Sequence, residues 1–147
     1  MNVKDCVDKG LLARIAPDLA KAHSSLEIAA HKLELAEKEN GHRIWEGAIV
    51  NAYTSMFHTA RALLFKDGYK ERSHYALGVF LEERYADKIE RKYMTEFGAL
   101  RLHRHEIMYA LERNDESDEE EAEDAIRMAN GFLEAVEKML DEEKSRK

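Results

Sequence analysis

Apolar residues recur at steps of three and four along almost the whole chain, the period of one face of an α-helix. Over residues 18–39 the stripe is Leu19, Ala22, Leu26, Ala29/Ala30, Leu33 and Ala36. Pro17 suits the first turn of this helix, with Ala16 near the cap. Asn40-Gly41 is expected to end it, glycine serving as a left-handed C-cap. A second long helix is predicted over residues 42–66, with Trp45, Ala48/Ile49, Ala52, Met56, Ala60 and Leu63 on one face. Its small residues permit close helix approach, and Asp67-Gly68 is a turn signal. Ser73 is placed to cap a third helix, with Leu77, Phe80, Leu81 and Tyr85 inward. Residues 88–92 are polar and read as a loop or a helix start. A fourth helix is predicted over residues 93–113. After a charged connection, Ser117 and Glu120 have capping-box spacing for a fifth helix. That helix presents Ala122, Ala125/Ile126, Ala129, Phe132/Leu133, Val136 and Leu140. Residues 3–15 read as a short helix interrupted by Gly10, and the tail DEEKSRK as fraying. No repeat or linker divides the chain. The prediction is an all-α protein, an up-down antiparallel bundle of four to five helices. One domain spans residues 1–147, its core at about 18–142.

One segment breaks its own pattern. In residues 96–111, EFGALRLHRHEIMYAL, the apolar seam is Phe97, Leu100, Ile107 and Leu111, and the missing step is Arg104. A guanidinium stays charged at any working pH, so burying it needs a partner, a wet cleft or an anionic ligand. Two readings follow: an ion pair in the core or a dimer interface, or a contact to phosphate or a nucleotide. His103 and His105 flank Arg104, and Tyr109 lies one turn after His105. Tyr109 also reads as a core aromatic with its hydroxyl satisfied. His58, on the polar side of the second helix near Asn51, Ser55 and Arg61, reads either as a supporting group or as a surface histidine. The basic residues Arg84, Lys88, Arg91, Lys92, Arg101 and Arg104 are interrupted by Asp87, Glu90 and Glu96. They read as a guide for a polyanion or as an ordinary salt-bridged surface.

Composition narrows the classes. The 147 residues are 44% hydrophobic and 36% charged, with a net charge of −7. The chain as a whole is therefore no polycation for nucleic acid, although a local basic surface is compatible with this balance. The single Cys6 rules out an internal disulfide and a cysteine zinc site, which fits a reducing cytoplasm. The N-terminus carries Lys4, Asp5 and Asp8 with no apolar run, and no apolar stretch reaches 18 residues. Neither a signal peptide nor a membrane span is expected. No metal or cofactor is expected either. His103 and His105 are two apart on a helix and point in different directions. His105-Glu106 is not followed by the second histidine of a zinc-binding H-E-x-x-H run. DESDEEEAED, residues 115–124, lacks the glycine and ligand order of an EF-hand. There is no Ser-His-Asp order and no phosphate-binding glycine loop.

The segment NAYTSMFHTARALLFKDGYKERSH, residues 51–74, and the arginine helix together resemble a HEPN domain protein of the small archaeal and bacterial branch. The first resemblance lies in Ala60-Arg61-Ala62-Leu63-Leu64, Gly68-Tyr69 and Ser73-His74. The second is an arginine followed four to six residues later by a histidine. Here Arg104 is followed by the polar His105, and the fifth position on holds Tyr109. The likeness covers roughly residues 18–142. It implies a homodimer whose two-fold cleft binds RNA and, in active members, cleaves it without metal. It also implies a toxin–antitoxin-type pair with a minimal nucleotidyltransferase subunit. On this resemblance the catalytic candidates are Arg104, His105 and Tyr109, and phosphate or nucleotide contacts fall to Arg101 and Arg104, with His58 added from its place on the second helix. The residue types fit that chemistry. Arginine holds a phosphate through two parallel hydrogen bonds, and an imidazole both takes and gives a proton near neutral pH. A phenol is a poor base there. The alternative is a non-catalytic helical module that binds a nucleotide or a protein partner.

Overall fold

The computed structural model describes residues 1–109 and 118–145. Two short elements precede the first long helix: α1 (Val3–Asp8) and the strand β1 (Leu12–Arg14). This corrects the single helix expected over residues 3–15. Gly10 takes a left-handed φ of 73°, a conformation that a helix cannot continue through. The extended residues after it find their partners in β2 (Tyr69–Glu71) instead. The pairing is antiparallel, with Leu12 opposite Glu71 and Arg14 opposite Tyr69. Backbone bonds extend it, from Ile15 N to Gly68 O at 2.9 Å and from Arg72 N to Leu11 O at 2.9 Å.

Four long helices form the bundle: α2 (Leu19–Gly41), α3 (Trp45–Asp67), α5 (Arg91–Tyr109) and α6 (Glu119–Ser145), with the shorter α4 (His74–Tyr85) beside them. The all-α architecture agrees with the hydrophobic periodicity. The boundaries correct some details. Asp18, not Ala16, caps α2, its carboxylate accepting from Lys21 N at 2.9 Å. Gly41 lies inside α2 and Arg43 takes the left-handed turn, at φ 63°. The turn is closed by Ile44 N bonding Glu39 O at 2.8 Å, and the Arg43 guanidinium lies over Trp45 at 5.5 Å. The second long helix accordingly starts at Trp45 rather than residue 42. Ser73 caps α4 as its sequence position suggests. For α6, Asp118 accepts from Glu121 N at 3.0 Å. The proposed Ser117 cap, Leu111 and the end of the predicted fourth helix lie outside the described residues.

Helix α3 is central, touching α2, α4, α5, α6 and β2. Its buried face includes Ala48, Ile49, Ala52, Tyr53, Met56, Ala60 and Leu63. Ala22, Ala29 and Ala36 of α2 are fully buried opposite it. Small side chains on both helices let the backbones approach closely enough for Ser55 Oγ to donate to Ala29 O at 2.8 Å. On α6 the buried residues are Ala122, Ala125, Ala129, Phe132, Leu133, Val136 and Leu140, the face that its sequence periodicity selects. At one end Lys66 Nζ bonds Glu143 at 2.9 Å and Asp67 at 3.2 Å, and Tyr85 donates to Asp67 at 2.6 Å. These contacts tie α6 and α4 to the C-terminus of α3. Among the described residues, no helix is long and apolar enough to cross a membrane.

Candidate functional site

Helix α5 lies on α3 through the seam that its sequence announces. Phe97 and Leu100 are buried and Ile107 is partly buried against the core. The Phe97 ring stacks on Tyr53 with centroids 5.4 Å apart. One step further, where the apolar pattern fails, the Arg104 guanidinium lies over the same Tyr53 ring, 5.6 Å from its centroid. Arg104 therefore stays at the rim of the core, its charge facing an aromatic surface. Among the described residues no carboxylate pairs with Arg101 or Arg104. Of the other cations of the basic run, Arg84 pairs with Glu83 at 2.9 Å, Arg91 with Glu82 at 2.9 Å and Lys92 with Glu90 at 3.4 Å, while Lys88 Nζ lies 5.5 Å from the Tyr85 ring centroid.

Tyr53 is 1% exposed, and a buried phenol needs a partner for its hydroxyl. That partner is His74, with the Tyr53 oxygen 2.6 Å from His74 Nδ1. His74 is the first residue of α4, set there by the Ser73 cap, and Phe57 stacks on its imidazole with centroids 4.3 Å apart. Burial pushes the Tyr53 hydroxyl up to about 12, against the opposing pull of Arg104 and Arg101. The same two arginines act on His74. Its pKa is lowered first by burial, then by Arg104 and, more weakly, Arg101, while Glu71 pulls the other way.

A groove of about 380 Å³ is lined by His74, Arg101, Leu102, Arg104 and His105. A larger cavity of about 490 Å³ shares His74 and Arg101 with it and runs between α4 and α5. Its walls include Tyr75, Val79, Met94 and Phe97, with Met1 and Asn2 at one side. Tyr109 is 57% exposed, and its ring lies 4.9 Å from that of His105. The core-aromatic reading of Tyr109 thus does not describe its position. His103 turns toward α6 instead, its Nε2 3.9 Å from Glu121.

The structure therefore brings together Arg101, Arg104 and His105, with Tyr109 against His105. His58 lines neither cavity. It is half-buried on α3 and its pKa is lowered to about 4, by burial and then by Arg61 and Lys32. Two residues of the cluster, Tyr53 and His74, are absent from the sequence-based candidates. The available signal was a tyrosine among the alanines of a buried helix face, together with a histidine just after a helix cap. Nothing in the linear pattern says that these two meet.

The HEPN domain model matches residues 22–139 of the chain. A protein of Methanocaldococcus jannaschii named "Putative toxin MJ0605" is 30% identical over 122 residues, covering 80% of this chain and 87% of that protein.

Proposed function

The chain belongs to the HEPN domain family, and from that premise we propose that it is a toxin-like HEPN protein that binds RNA and cleaves it without metal. The observation that carries this reading is the pair of arginines on α5. Arg101 and Arg104 face one groove with an imidazole on each side, and no carboxylate among the described residues neutralises them. A site of that kind takes an anion, and a guanidinium pair suits the two non-bridging oxygens of a phosphodiester. Arg104 is assigned to the scissile phosphate, Arg101 to the same or an adjacent phosphate, and His105 to proton transfer. Tyr109, exposed beside His105, supports His105 or stacks on a base.

In this reading the groove is completed by a second copy of the chain. Leu102, Met108 and Tyr109 are 58%, 48% and 57% exposed on the same helix, which is apolar surface at the edge of a charged groove. A minimal nucleotidyltransferase subunit is the proposed antitoxin partner.

The test is incubation of the purified protein with a mixed labelled RNA pool in EDTA, beside Arg104→Ala. Cleavage by the wild type that is lost in the variant is the expected result. RNA that stays intact in the wild-type lane overturns the reading.

A further inference from the structure

We infer that His74, held by the hydroxyl of Tyr53, is the base that accepts the 2′-hydroxyl proton in this groove. The inference rests on the RNA-cleavage reading above and assigns a proton carrier to it. Three observations lead there.

The first is a gap in the chemistry. The position five residues after Arg104 holds Tyr109, and a phenol is a poor base at neutral pH. The α5 wall thus offers two guanidiniums, an exposed imidazole and an exposed phenol.

The second is geometry. His74 comes from the opposite wall, on α4, and lines the same groove as Arg101, Arg104 and His105. It is fixed in three ways. Its Nδ1 is 2.6 Å from the Tyr53 hydroxyl, Phe57 stacks on its ring, and the Ser73 cap sets its place at the start of α4. With Nδ1 engaged, Nε2 is the nitrogen left for a ligand. A tyrosine hydroxyl both donates and accepts. When Nδ1–H donates to the Tyr53 oxygen, the Nε2 lone pair is free to take a proton, the orienting arrangement that a base requires.

The third is charge. The groups facing His74 are Tyr53 from α3, Arg101 and Arg104 from α5, and Glu71 from β2. Burial and the arginines outweigh Glu71, so the imidazole stands neutral near pH 7, the form that accepts a proton.

The 2′-hydroxyl proton passes to His74 Nε2, the 2′ oxygen bonds to phosphorus, and the phosphorus–O5′ bond breaks. The 5′ oxygen leaves with a proton from protonated His105. The products are a 2′,3′-cyclic phosphate and a 5′-hydroxyl, with no redox change. Tyr53 is a positioning residue in this scheme, since it acts through His74.

The experiment compares wild type, His74→Gln, Tyr53→Phe and Arg104→Ala. Binding is read on a 2′-deoxy oligonucleotide that cannot be cleaved, and rates are read on labelled RNA across pH 5–9. His74→Gln is expected to bind within about twofold of wild type and to cleave about 10²- to 10⁴-fold more slowly. Tyr53→Phe is expected to keep binding and to displace the acid limb of the pH–rate profile, which a merely structural role would not move. Wild-type rates and an unchanged profile in His74→Gln, with Arg104→Ala inactive, overturn the role of His74 and leave the RNA-cleavage reading standing. A wild type that leaves RNA uncleaved ends both, whether or not it binds the oligonucleotide. A readout free of variants guards against misfolding. The ¹⁵N resonance of His74 Nε2 in wild type is expected to move when the 2′-deoxy oligonucleotide is added, and a stationary resonance overturns the proposal.

Discussion

His58 and His74 are both held below the ordinary imidazole range, and in both burial is the larger cause. For His58 the consequence falls on stability. The folded state keeps it neutral down to about pH 4, while the unfolded chain takes up the proton near pH 6.5. The unfolded state therefore binds more protons between those values, and stability falls as pH drops through that window. Allowing for partial solvent access, the loss is about 2 kcal/mol. Denaturant unfolding at pH 7 and pH 4.5 should show it, and His58→Gln should flatten the difference; an equal slope in the variant contradicts this account. The residue scale is also where the sequence was most and least legible. The interruption of the seam at Arg104 was readable from spacing. That its partner would be the face of Tyr53 was not, because the aromatic surface belongs to another helix and carries no charge to complement. His74 was hidden for the same kind of reason. Its role depends on a buried hydroxyl reached only after the chain has passed through α3, β2 and a turn.

The elements were legible wherever one face of a long helix is buried, because the three- and four-residue spacing directly records that burial. Helix α6 is the clear case: Ala122, Ala125, Ala129, Phe132, Leu133, Val136 and Leu140 are all buried. The failures lie where a short segment is decided by a distant one. Residues 12–14 fall in a segment that reads as helix by itself, and β2 recruits them into a strand instead. Gly68 is the joint of that recruitment. It ends α3 at φ 88°, and its carbonyl accepts from Ile15 N. A Cβ there would lie 2.9 Å from Ile15 O and 3.2 Å from the Pro17 ring. Gly68→Ala combines an unfavourable left-handed backbone with a clash against main chain, so a loss of about 2 kcal/mol is expected. Urea unfolding measures it, and a variant as stable as wild type would show that the strand pair shifts freely.

At the scale of the molecule, charge is unevenly distributed. The net charge of −7 coexists with an arginine pair on α5 that no carboxylate among the described residues neutralises, while α6 opens with Glu119, Glu120 and Glu121. Leu102 and Tyr109, seven residues apart on one face of α5, also expose apolar surface, which a lone monomer has little reason to display. Leu102→Glu puts a carboxylate in that surface. If two copies meet there, light scattering after size exclusion should read a dimer for wild type and a monomer for the variant. A wild-type monomer at micromolar concentration, or a variant that stays dimeric, places the contact elsewhere or nowhere.

The first two residues have a practical bearing on the RNA-binding and cleavage experiments. Val3 N bonds Glu83 at 3.0 Å, and Val3 and Cys6 are buried, so the start of the chain is fastened down. Met1 and Asn2 then form part of the cavity wall that includes His74 and Arg101. A purification handle fused ahead of Met1 would emerge at the mouth of that cavity and sweep across it like a tethered plug. An N-terminally tagged preparation can thus look inert when the untagged chain is not, and the same steric shadow would weaken any partner that approaches from this side.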